Sequence, residues 1–122
     1  MIDVITYCPD LPALRAELQA ADSPYVDEAG RFTVPMTPVR YNGNESIALL
    51  RVSDIALVEA VASLQVLASA PAGGTAAFDA LFTDPEATAI YDRVYDQTPV
   101  THTEEDGTEH ASIPPRIFGV FA

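Results

Sequence analysis

The chain has 122 residues, 48% of them hydrophobic, with 18 acidic residues against six arginines, no lysine and a net charge of −12. That length and apolar content hold one domain with a real core, and that charge argues against nucleic-acid or anionic-membrane partners, which need a positive footprint. The single cysteine excludes a disulfide framework or a Cys-rich zinc site, no apolar run is long enough for a transmembrane helix, and Met1-Ile2-Asp3-Val4 reads as the start of a strand rather than a signal peptide.

Two stretches 44 residues apart repeat one pattern. A β-rich run over 4–8 ends at Pro9-Asp10, and Leu11, Leu14 and Leu18 follow at helical spacing. A second β-rich run over 46–52 ends at Ser53-Asp54, followed by Ile55, Val58 and Val61 or Ala62. Each unit reads as a strand, an Asp cap and an amphipathic helix, with helices expected over 11–21 and 55–63. Between them lies a polar connection over 25–30. A proline-interrupted strand over 31–34 and 39–41 then belongs at a sheet edge, because Pro35 and Pro38 cannot donate ladder hydrogen bonds. Asn42-Gly43-Asn44 signals a turn, and residues 64–69 read as a closing strand in which Leu64, Val66 and Ala68 alternate with Gln65, Leu67 and Ser69. The order β-α-β-β-α-β over 1–70 predicts an α+β fold of the ferredoxin-like, split-βαβ plan. Both helices then lie on one face of an antiparallel sheet, and Leu14, Leu18, Leu49, Val58 and Val61 share one core.

Residues 71–122 read as an appendage to the same domain: C-terminal helices, an acidic hairpin and an apolar tail. Pro71-Ala72-Gly73-Gly74 reads as a hinge or linker. Thr75 can cap a short helix presenting Phe78, Leu81 and Phe82. Thr83-Asp84-Pro85-Glu86 starts another helix, capped by a Thr83/Glu86 capping box or equally by Asp84, with Ala87, Ile90, Tyr91 and Val94 on its apolar face. From Pro99 a hairpin with Asp106-Gly107 at its tip leads to the tail Ile113-Pro114-Pro115-Arg116-Ile117-Phe118-Gly119-Val120-Phe121-Ala122.

No residue pattern spells out a catalytic site. Cys8 precedes a helix N-terminus, where the dipole can lower a thiol pKa, but a buried strand cysteine is the commoner reading. His102 and His110 flank the hairpin tip. A two-residue loop puts them on opposite faces, whereas a three-residue Glu105-Asp106-Gly107 loop pairs them directly. Even then a third metal ligand is missing. Asp92, Asp96, Glu104, Glu105, Asp106 and Glu109 read as a solvated face or as a surface imitating nucleic-acid phosphates. Tyr91 and Tyr95 are partner anchors or core aromatics. Ile117, Phe118, Val120 and Phe121 crowd the last six residues, so the tail docks on its own domain or on a neighbour.

The Tyr7-Cys8-Pro9 strand, the segment Ala89-Ile90-Tyr91-Asp92-Arg93-Val94-Tyr95-Asp96 and the terminal Pro114-Pro115 with Phe118-Gly119 and Phe121-Ala122 resemble small proteins of tailed bacteriophages. The resemblance implies a virion or accessory protein, in the particle or the host cytoplasm, and brings no catalytic residues with it. The expectation is a non-enzymatic interaction protein without cofactor or metal. Its partners are other phage proteins or copies of itself, and Tyr91, Tyr95, Ile117, Phe118, Val120 and Phe121 are the contact residues. The alternative is an acidic DNA mimic that blocks a host nucleic-acid-binding protein.

Overall fold

The computed structural model describes residues 1–33, 40–95 and 100–112. The Pro35/Pro38 segment, Asp96 and the apolar tail with Ile117, Phe118, Val120 and Phe121 lie outside them. The elements of the first half are β1 (Ile2–Cys8), α1 (Leu11–Ala20), β2 (Arg40–Asn42), β3 (Glu45–Val52), α2 (Ala56–Glu59) and β4 (Gln65–Pro71). They build an α+β fold on a four-stranded sheet in the order β2-β3-β1-β4, with every neighbouring pair antiparallel. The two most apolar strands, β1 and β3, take the centre, in a register that sets Val4 against Leu50 and Ile5 against Leu49.

Local chemistry explains the boundaries of α1. The Asp10 carboxylate accepts from Ala13 N, and a proline occupies the first turn, where its missing N–H costs nothing. At the other end Asp22 adopts a left-handed φ of 53°. Asp22 N donates to Gln19 O at 3.1 Å and Ser23 N to Leu18 O at 2.9 Å, the paired closure of a Schellman motif. Asn42 and Glu45 are paired across a two-residue turn, with Gly43 at a positive φ of 63° in its first central position.

The second helix differs from expectation. The apolar spacing predicts a helix over 55–63, yet α2 is a single turn, Ala56–Glu59. The Glu17 carboxylate of α1 accepts from Ala62 N and Ser63 N, both at 2.8 Å, and so offers these amides partners outside a helix. The β-branched Ile55, Val58 and Val61 favour continuation only weakly.

The sheet is covered on both faces. On one, Val4, Ala48, Leu50, Val52 and Val58 pack together beside Cys8, Leu11, Leu14, Leu18 and Val26. Half-buried Tyr25, Phe32, Val61 and Leu64 touch both groups. On the other, Ile5, Tyr7, Ile47 and Leu67 meet α3 (Ala76–Phe82) and α4 (Pro85–Val94) through Phe78, Leu81, Tyr91 and Val94. Leu49 corrects the expected core. Strand alternation sends it to the α3/α4 face with Ile47, away from Leu14 and Val58.

A bulge in β4 explains a second departure. Ile5 pairs with Ala68 but Thr6 pairs with Val66, so Leu67 is the extra residue. The even alternation expected of Leu64, Val66 and Ala68 breaks there: Leu64 and Val66 stay on the α1/α2 face while Leu67, Ala68 and Ala70 all turn to the α3/α4 face. The glycine segment expected as a linker is tied to the sheet. Ala72 N donates to Met1 O at 3.1 Å and Gly73 N to Asp3 Oδ2 at 3.0 Å. Asp84, rather than Thr83, caps α4, accepting from Glu86 N and Ala87 N.

Candidate functional site

One polar cluster joins three elements remote in sequence. Glu45 opens β3, Tyr7 lies near the end of β1, and Arg93 falls in the last turn of α4, where a cation also suits the helix dipole. The Tyr7 hydroxyl donates to Glu45 Oε1. Arg93 Nη2 reaches the same oxygen at 2.7 Å and the Tyr7 hydroxyl at 3.0 Å, and its guanidinium lies 5.7 Å from the Tyr7 ring centre. Asn42 Nδ2 donates to Arg93 O at 3.0 Å, tying β2 to the same place.

The electrostatics make this a clamp. Burial, and then the Glu45 carboxylate, push the Tyr7 phenol above its usual range, so it keeps its proton and donates it. The hydrogen bonds from Tyr7 and then Arg93 hold the Glu45 carboxyl below the usual range, so it remains an ionised acceptor. These charges tie the end of α4 to the sheet, beside the apolar contacts that pack the α3/α4 layer. Nothing in the sequence pattern joined these residues. The available signal was that Arg93 is the sole arginine between Arg51 and Arg116 in a strongly acidic stretch.

The acidic hairpin comprises β5 (Val100–Thr103) and β6 (Glu109–Ser112), which form a separate two-stranded sheet. Its register pairs His102 with His110 and Thr103 with Glu109. Glu104 N donates to Thr108 O at 2.8 Å and Gly107 N to Glu104 O at 3.0 Å, with Gly107 at φ 87°. This is the three-residue Glu105-Asp106-Gly107 loop, the alternative that sets the histidines opposite one another. His110 Nε2 lies 3.3 Å from Glu104 Oε1, with both side chains about half exposed. Among the described residues no three His, Cys, Asp or Glu side chains are grouped to hold a metal ion. Residues 103–110 are all exposed, and among the described residues β5 and β6 pack mainly on one another.

The remaining sequence candidates are placed as follows. Cys8 is buried, and burial pushes its thiol above the usual range despite its position before α1. Tyr91 and Tyr95 fill the core between α4 and the sheet, 0% and 2% exposed. They stack with ring centres 5.8 Å apart, and Tyr91 also meets Phe78 edge-on at 6.1 Å. In the described fold these rings are core aromatics rather than surface anchors. No protein-family model matches the chain, and neither a curated protein nor a solved structure does.

Proposed function

We propose that the protein is a non-enzymatic interaction component, a structural or accessory virion protein of a tailed phage, and that its C-terminal hairpin engages a protein partner. One observation carries the reading. A two-stranded hairpin alone is marginally stable in water, yet this one presents exposed Glu104, Glu105, Asp106 and Glu109 and packs mainly on itself among the described residues. Such an arm gains its order on a partner, and its charge selects a basic one. The phage assignment rests on the resemblance of Tyr7-Cys8-Pro9, residues 89–96 and the diproline tail. In this reading Ile117, Phe118, Val120 and Phe121, which follow the hairpin in sequence, add apolar contacts to the same partner. The core is read as a ferredoxin-like split βαβ, supported by the order β1-α1-β2-β3-α2-β4 and the antiparallel sheet order β2-β3-β1-β4.

Mass spectrometry of purified phage particles tests the reading. The protein is expected at fixed stoichiometry, and replacing the four hairpin acids by their amides should remove it from particles without unfolding it. Its absence from particles would end the virion assignment. The crowding of four carboxylates at one exposed turn also favours a second reading, an acidic mimic of nucleic acid. That reading requires a complex with a basic host protein whose affinity falls steeply with salt and is competed by duplex DNA.

A further inference from the structure

We propose that the outer edge of β4 pairs antiparallel with the same edge of a second copy of this chain, forming a reversible two-fold dimer. The surface is distinct from the hairpin and does not depend on its function. β4 is the last strand of the sheet, and among the described residues it pairs only with β1. Exposed sheet edges are ordinarily protected by charged side chains, lysine above all. β4 has none. No Asp, Glu, Arg, Lys or His occurs anywhere in residues 60–78, although charged residues make up 20% of the chain. Among the described residues the edge keeps two of the usual protections, the bulge at Leu67 and Pro71 at its end.

The charge distribution identifies the occupant. A basic partner would be drawn to the carboxylates, not to the neutral strip. Two copies at −12 each repel wherever their acidic surfaces meet, so they can approach closely where those charges are absent. Antiparallel pairing of a strand with itself is self-complementary, as a two-fold interface requires. The consecutive small residues Ala68, Ser69 and Ala70 allow a close backbone approach. An apolar cleft of about 430 Å³ beside the end of the strand, lined by Met1, Ile2, Ser69, Ala70 and Pro71, adds surface to cover, and Met1 is 68% exposed at its rim. A seven-residue strand spans only ~23 Å, so the contact lies at the small end of specific interfaces and the dimer dissociates on dilution.

Sedimentation equilibrium of the full chain over micromolar to low-millimolar concentration, with hydrogen exchange followed over the same series, tests this. The expected mass rises from 13.0 kDa toward twice that value, and the β4 amides gain protection in step with concentration. Ser69→Glu and Gln65→Glu, both at exposed positions, should each hold the chain at the monomer mass with an unchanged melting temperature. A monomer at every concentration overturns the proposal. So does a dimer whose β4 protection does not follow concentration or that survives both substitutions. Protection of β4 that persists at full dilution likewise overturns it, because the edge is then covered from within the chain. The exchange series on the unsubstituted protein decides the matter even if a variant misfolds.

Discussion

Asp3 and Arg51 stand directly opposite one another on β1 and β3, and Arg51 Nε donates to Asp3 Oδ1 at 2.8 Å. The second oxygen, Oδ2, accepts from Arg51 Nη2 at 3.2 Å and from Gly73 N at 3.0 Å. One nearly buried carboxylate therefore joins the two central strands to the turn that leads into α3. The Arg51 hydrogen bonds, helped by Gly73 N, hold this carboxyl below its ordinary value of 3.8. A depressed folded-state pKa means that Asp3 contributes its full stability above the unfolded value and loses it as pH falls through the folded value. Thermal melts should thus show stability falling below about pH 4, and Asp3→Asn should flatten that acid limb. At neutral pH the same change should cost on the order of 2 kcal/mol, the scale of hydrogen bonds to a charged group. An Asp3→Asn protein with the original pH profile would contradict this role.

Tyr7→Phe removes the hydroxyl that Glu45 and Arg93 share and leaves the ring in the core. The expected loss is about 1 kcal/mol in urea denaturation. Hydrogen exchange should speed up first in α4, because the clamp ties that helix to β1 and β3. Equal acceleration across all elements would show that the clamp has no local role.

Cys8 should not react with a thiol reagent in the native protein and should react promptly once denaturant exposes it, because burial both shields the thiol and disfavours the thiolate. Cys8→Ser should cost on the order of 1 kcal/mol and leave partner binding intact. Fast native-state labelling, or loss of binding in a fully folded variant, would refute this.

Gly107→Ala should open the hairpin tip without melting the domain. Gly107 holds φ 87°, a region an L side chain enters at a cost of roughly 1 kcal/mol. The hairpin is a two-stranded sheet with little stability to lose. Exchange of the β5 and β6 amides should accelerate while the melting temperature stays within error. A lowered melting temperature would instead join the hairpin to the main cooperative unit.

What the sequence revealed was local. Asp10 followed by Leu11, Leu14 and Leu18 marks α1 because its cap and periodicity lie within a few residues of one another. Asp84-Pro85 marks α4 in the same way. The even alternation of β4 misleads because the bulge at Leu67 is set by pairing with β1, some 60 positions away. The shortness of α2 depends on Glu17, 45 residues upstream of Ala62. The Tyr7–Arg93 contact spans 86 positions, and no periodicity or motif reports a partner at that distance. The placement of Leu49 was legible in principle, since it shares strand parity with Ile47, but the unbroken apolar run over 47–50 hides which face each residue takes.

The Glu17 carboxylate bears on how the repeated pattern of this chain should be understood. It belongs to the first strand-helix unit, yet it satisfies the backbone amides left unpaired where the second unit's helix stops short. The two units are therefore not interchangeable copies in tandem, because one finishes the other. Severed between β2 and β3, neither piece would hold a complete set of hydrogen bonds for its own backbone. The halves should behave as complementary fragments that gain structure only when mixed.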